Sequence, residues 1–268
     1  MLPQNVEKEM HLCRAQYLRF FRVRQDRVGK QERPAEGAAP PPKGQREALD
    51  AAFSKSLRLL LDPERQLMQK LVNREALEKR FHQLDQLVDR DPGFKALGNI
   101  EREVGLICGG GMSAAALEGA GLGSLGVGNP EVILLSALML RSLYEMALIY
   151  GVSVDRPWEK DLALMVLSAA FASGDDAYRD ERDLSRALDS LADGQPITID
   201  RDRRIRQAAG RMAQSMSLQK VIQGIPVVGI SGMFFNTAAM TRLSSLSRCV
   251  YKYRYLAGKK RAYQHYKM

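Results

Sequence analysis

Residues 129–151 read NPEVILLSALMLRSLYEMALIYG, and this stretch decides the fold class. Asn129-Pro130-Glu131 is a helix start, because an Asn side chain can satisfy a free N–H of the first turn and Pro at the first helical position has none to leave orphaned. From there a strongly apolar helix runs to Gly151, with Arg141 and Glu145 as the charges between Val132 and Tyr150. A second start follows at once. Ser153 to Asp155 with Pro157 opens another apolar helix that ends near Gly174.

Working outward, the same grammar repeats. Residues 175–193 form a short acidic helix closed by Gly194, and from Asp200 the helical period resumes to about Gln223. Gln195 to Ile199 is the one β-like stretch and is too short to make a sheet alone. Toward the N-terminus, Glu47 to Leu61 is a helix running into Asp62-Pro63-Glu64, which starts a further helix to about Arg90. The apolar face of that helix is Leu67, Leu71, Leu77, Phe81, Leu84 and Val88, and Asp91-Pro92 repeats the start signal. Residues 5–29 form a basic amphipathic helix, with Val6, Met10, Cys13, Tyr17 and Phe20/Phe21 on one face and Lys8, Arg14, Arg19 and Arg22 on others. Between Gln31 and Arg46 four prolines and two glycines interrupt any apolar period, as in a linker.

Two segments depart from this pattern. From Val104 to Val127 Glu118 is the sole charge and eight residues are glycine, each costing about 1 kcal/mol in a helix relative to alanine, so close packing or loop is implied. Val221 to Thr241 holds 21 consecutive uncharged residues, interrupted by Gly224, Pro226, Gly229 and Gly232. Its length reaches that of a membrane span. Spanning, a soluble core hairpin, and a segment that packs in the domain while contacting a bilayer all remain open. The expected architecture is all-α: a helical domain with two central glycine-rich apolar segments, preceded by a tethered amphipathic helix. Residues 1–30 are that helix, 31–46 the linker, 47–257 the domain and 258–268 a basic tail.

The chain has 268 residues, 45% of them hydrophobic and 26% charged, which excludes a disordered chain and a mini-protein that needs staples. Its three cysteines and three histidines are scattered, so no disulfide framework, metal site or cofactor is legible, and a reducing compartment fits. The N-terminus builds no apolar core of a secretory signal. The formal net charge is +9, unevenly spread: residues 101–200 sum to −9 and residues 242–268 to +8. Such polarity suits an anionic partner.

The motifs that carry chemistry elsewhere lack their context here. Gly121 to Gly126 spells GxGxxG, but helix-favouring residues precede it where a dinucleotide site needs a strand. Gly111-Met112-Ser113-Ala114-Ala115 approaches a nucleophile elbow without the final glycine. A lipid hydrolase built on Ser113 would draw on His82 and the acids of residues 175–183. Arg141 and Glu145, at i,i+4 spacing, form either a solvated surface pair or a partly buried pair lining a polar cleft with Tyr144 or Tyr150. The end of the chain alternates Tyr251, Lys252, Tyr253, Arg254 and Tyr255, then continues through Lys259, Lys260 and Arg261. It is a solvated basic helix end, a membrane-interface patch or a nucleic-acid surface. Membrane ranks ahead of nucleic acid because the apolar Gly/Pro segment directly precedes it.

Ile225 to Asn236, reading IPVVGISGMFFN, followed by the basic and aromatic Tyr253-Arg254-Tyr255-Leu256, resembles the closing "PVVG…G…N" segment of the EcsC family. Leu138 to Gly151, with Arg141, Ser142 and Ile149-Tyr150-Gly151, then Asp155 and Pro157, is similar to that family's "LR…I…YG…D…P" helix. The glycine-rich Ala120 to Gly128 matches the stretch the family places ahead of it. The resemblance covers roughly residues 48–257 and implies an α-helical, membrane-associated bacterial protein with no settled catalytic residues.

The function expected is that of an interaction protein rather than an enzyme, cytoplasmic and membrane-associated, acting on anionic lipid or a membrane protein complex. Its contact residues would be Pro226, Gly229, Gly232, Phe234, Phe235, Tyr251, Lys252, Tyr253, Arg254, Tyr255, Lys259, Lys260 and Arg261. A soluble lipid carrier, a lipid hydrolase and a nucleic-acid-binding helical protein are the rivals.

Overall fold

A computed structural model describes residues 4–25, 43–90, 94–109, 130–223 and 232–265. Every regular element among them is an α-helix: α1 (Gln4–Gln25), α2 (Lys43–Leu61), α3 (Leu67–Leu71), α4 (Arg74–Arg90), α5 (Phe94–Gly109), α6 (Pro130–Ile149), α7 (Pro157–Phe171), α8 (Gly174–Ala192), α9 (Arg201–Gln223) and α10 (Gly232–His265). The chain is all-α. Gln195 to Ile199 is an irregular connection, with Ile197 and Ile199 half-buried against the core. The GxGxxG at residues 121–126, the elbow at 111–115, and Pro226 and Gly229 lie outside the described residues.

The helix expected from Pro63 to Arg90 is broken in two. The Asp62 carboxylate accepts the N–H of Glu64 at 2.9 Å and holds a turn, and Gln66 adopts a left-handed φ of 49° before α3. After α3, Val72 is extended, and the Asn73 side chain accepts the N–H of Ala76 at 3.2 Å to cap α4. Short polar side chains compete with the helical ladder for backbone N–H groups, so a periodic apolar pattern continues across a real break. Asp200 does the same for α9, accepting the N–H of Arg203 at 3.0 Å.

The centre of the body is α6 with α7. Helix α6 packs against α2, α3, α4, α5, α7 and α10, and α7 against α8, α9 and α10. That enclosure is why neither helix has a polar face. The window Val132–Ile149 is long and apolar enough to cross a membrane, and 83% of it is buried inside the protein.

Helix α1 lies antiparallel on α10 and also touches α8. Val6, Cys13, Tyr17 and Phe21 are buried there; the Tyr17 hydroxyl donates to Glu181 O at 3.0 Å, and Cys13 Sγ to Cys249 O at 3.0 Å. At its end Arg24 Nη1 donates to the carbonyls of Ala170 (2.6 Å) and Ala172 (3.2 Å), which closes the C-terminus of α7 with a cation. The amphipathic helix is thus docked by its apolar face. Helix α10 continues unbroken past residue 257, so the expected tail is an extension of the helix that carries the core.

Helix α2 packs on α9 and α6. Asp50 faces Gly210 of α9 and keeps Oδ1 buried without a hydrogen-bond partner among the described residues. Burial raises its carboxyl above the ordinary range, and Arg46 only partly opposes this. A carboxyl raised in the folded state holds its proton more tightly than in the unfolded chain, so its contribution worsens as pH rises through the folded value. Asp50→Asn should therefore raise the urea midpoint at neutral pH. The gain should vanish well below the ordinary carboxylate range, where both states are protonated. A gain that persists in acid would show that charge burial is not its cause.

Candidate functional site

The alternating end of the chain lies largely inside the body. A helix turns each successive residue by about 100°, so Tyr251 and Tyr255 fall on one face, four residues apart. Tyr251 is 1% exposed and Tyr255 6%. Burial holds both phenols above their ordinary range, and Asp85, which accepts the Tyr255 hydroxyl at 2.7 Å, adds to the effect there. Tyr253 is half-buried.

The cations between them are matched by acids from other helices. Lys252 Nζ sits 2.7 Å from Glu9 of α1 and 3.2 Å from Glu101 of α5. Burial alone would lower this amine, and the two carboxylates override it and hold it above its usual range. Arg254 pairs with the buried Glu159 of α7. Lys259 bridges Asp85 at 2.7 Å and Asp89 of α4. Of the expected contact residues here, Lys260 is half-exposed and Arg261 exposed. Gly232 opens α10, and Phe234 and Phe235 lie in its first turn. Three of the cations concentrated in the last residues of the sequence, Lys252, Arg254 and Lys259, are therefore internal cross-links in the fold.

Arg141 and Glu145 form a partly buried ion pair, with Nε 2.7 Å from Oε1. Burial raises the Glu145 carboxyl, and Arg141 opposes that shift. The Tyr150 hydroxyl donates to Glu101 at 2.8 Å, which joins α6 to the Lys252 cluster. Tyr144 is different. It lines a cavity of about 420 Å³ formed where α2 ends, α3 turns, and α6 and α7 converge. Leu60, Leu61, Leu67, Met68, Leu148 and Val154 supply its apolar wall. The Tyr144 hydroxyl is buried with no hydrogen-bond partner among the described residues. Burial raises it above the ordinary range, with Arg201 and Asp161 acting in opposite directions.

The other polar groups around this cavity are mostly paired. Arg74 binds Asp155 and, at 2.6 Å, Glu78; Asp62 has Arg65 at 3.3 Å. Lys160, half-buried at the start of α7, has no ion pair among the described residues. Sequence reading reached Tyr144 only as a neighbour of Arg141, and missed Lys160. The cavity opens where the chain turns between Asp62 and Gln66 and leaves α3 at Val72, and no apolar period marks that.

A second, polar cleft of about 540 Å³ lies between α8 and α9. Its acids are tied to arginines: Asp183 to Arg204 at 2.8 Å, and the buried Asp180 to Arg211 at 2.9 Å. Ser168 and Gln207 each donate to Asp180 at 2.9 Å. Burial raises the Asp180 carboxyl, against the pull of Arg211 and Ser168. These are the acids that a hydrolase reading would have recruited. His82 is exposed on α4 with no hydrogen bond to an acid among the described residues, and Ser113 lies outside them. No cluster of three or more His, Cys, Asp or Glu able to hold a metal occurs among the described residues.

The outer face of α1 is the remaining feature. Leu12, Leu18 and Val23 are exposed at 46%, 44% and 43%. Leu12, Arg19 and Val23 share one stripe and Leu18 and Arg22 the next, with Arg14 alongside; the three arginines are exposed and unpaired among the described residues. Comparison with known proteins gives one family: the model of the EcsC protein family matches residues 30–256. No curated protein and no solved structure matches.

Proposed function

The chain belongs to the EcsC protein family, and we propose that it is an interaction protein that settles on an anionic lipid surface through the outer face of α1. The observation that carries this reading is the pairing of exposed Leu12, Leu18 and Val23 with Arg14, Arg19 and Arg22 on a helix whose opposite face is already docked. A helix lying in the plane of a bilayer buries such leucines among the acyl chains while arginine stems extend to the phosphates. The cytoplasmic leaflet is the surface whose lipid charge matches. The reading moves the contact from the residues after Tyr251 to α1, because Lys252, Arg254 and Lys259 are held by carboxylates.

Flotation with vesicles tests it. Each basic residue near an anionic surface contributes about 1 kcal/mol, so Arg19→Gln with Arg22→Gln should weaken binding by roughly thirtyfold. Leu12→Gln with Leu18→Gln should weaken it further. All four positions are exposed, so the thermal midpoint should hold. Neutral vesicles should not bind, and high salt should release the protein. Undiminished flotation of the arginine variant would sink the reading. Complete displacement by single-stranded oligonucleotide at matched phosphate would favour a nucleic-acid surface instead.

A further inference from the structure

We propose that the cavity between α2, α3, α6 and α7 is a binding site for a single-chain carboxylate amphiphile, a free fatty acid. The argument begins with what the cavity leaves unsatisfied. A buried hydroxyl without a partner is costly, and most buried polar groups in folded proteins have one. Tyr144, 5% exposed, lines the cavity and its hydroxyl has none among the described residues. Lys160 lines the same cavity and lacks a counter-ion among the described residues. Asp155 and Asp62 are held by Arg74 and Arg65, whereas Lys160 has no carboxylate within ion-pair distance among the described residues. The two groups that await a partner are thus a neutral O–H donor and an ammonium.

One ligand chemistry answers both. A carboxylate carries a single negative charge on two acceptor oxygens, one for the phenol and one for the ammonium. A phosphate monoester brings nearly twice the charge, for which this cavity has no second free cation and which Asp62 and Asp155 would oppose. Leu60, Leu61, Leu67, Met68, Leu148 and Val154 give the wall an aliphatic part, beside the paired Asp62, Arg74 and Asp155 and the amides of Gln66 and Gln69. A volume of about 420 Å³ lies within the range of small-molecule sites. An alkyl chain under a carboxylate head fits that division.

The inference does not rest on the membrane reading, since the residues concerned are on α2, α3, α6 and α7 and not on α1. Calorimetric titration of the full chain with decanoate, decanol and decyl phosphate tests it. Decanoate should bind, and lengthening the chain by one methylene should tighten binding about fourfold until the cavity is full. Tyr144→Phe and Lys160→Met should each weaken decanoate tenfold or more and leave decanol unchanged. Decanoate should bind more tightly than either analogue. Because Tyr144→Phe removes only an oxygen with no partner, its thermal midpoint should be no lower than that of the parent chain. Flotation on anionic vesicles should be unaffected by both substitutions, and the arginine variants of α1 should still take up decanoate. Equal affinity for decanol and decanoate, tighter binding of decyl phosphate, or an unchanged decanoate affinity in Tyr144→Phe would overturn the proposal. So would a clear loss of stability in Tyr144→Phe, which would mean that a structural partner holds the hydroxyl.

Discussion

Arg254→Ala is expected to lower the thermal midpoint by about 10 °C. The Glu159 side chain is 3% exposed and Arg254 of α10 is its partner across α7. Removing one member of a buried pair leaves an uncompensated charge in a medium that solvates it poorly, a cost of about 3–5 kcal/mol. Each kcal/mol is worth roughly 2–4 °C in a domain of this size. The double variant Arg254→Met with Glu159→Leu should recover most of the loss, because an apolar pair of similar volume avoids burying charge at all. Thermal melts of the three proteins decide the matter. If Arg254→Ala melts like the parent chain, the cation is not structural, and the end of α10 is again available as a charged surface. The same logic warns against truncation after Leu256 as a lipid-binding test, since it would also remove Lys259 from Asp85 and Asp89.

Gly151→Ala should cost about 2–5 kcal/mol, from two separable sources. The residue closes α6 with φ +70°, where the N–H of Gly151 meets Leu148 O at 2.9 Å and the N–H of Val152 meets Ala147 O at 2.8 Å. This is the paired hydrogen-bond closure that a left-handed residue makes possible, and a side chain there costs about 1–2 kcal/mol. A Cβ at this position would also lie 2.2 Å from Phe81 Cζ of α4. The ring would have to shift from its edge-on contact with Tyr255, so overpacking adds about 1–3 kcal/mol. Phe81→Leu in the Gly151→Ala background should return the steric part and leave the backbone part. A double variant no more stable than Gly151→Ala alone would contradict that division. Urea denaturation is the suitable readout, because both changes act on stability.

The motif from Arg141 to Pro157 shows how much of this site was legible. Its residues are distant in character and close in sequence, and each has a physical task in the fold. Arg141 neutralises Glu145, Tyr150 binds Glu101, Gly151 makes the left-handed closure, Asp155 holds Arg74, and Pro157 opens α7. The spacing identified the family, and the tasks became visible only with the partners on α4 and α5. The expected contact residues of α10 show the opposite outcome. Tyr251 to Tyr255 alternate aromatic and basic residues, a pattern that describes a chain in water as well as one in a core, since each residue type tolerates either environment when a partner is present.

By itself, the sequence determined the helical class, most of the helix ends and the family, because caps, prolines and the 3.6-residue period act between residues close along the chain. It also determined that the protein carries more cations than anions. Only the tertiary structure decided which of those cations are free. Lys252 meets Glu9 and Glu101, Arg254 meets Glu159, and Lys259 meets Asp85 and Asp89, all from helices far away in sequence. Charge composition is a sum over residues, whereas charge availability depends on distances across helices, and these follow from how α1, α4, α5 and α7 pack around α10. The cavity at Tyr144 has the same origin: a void is a property of several elements meeting, and no single stretch of sequence contains it.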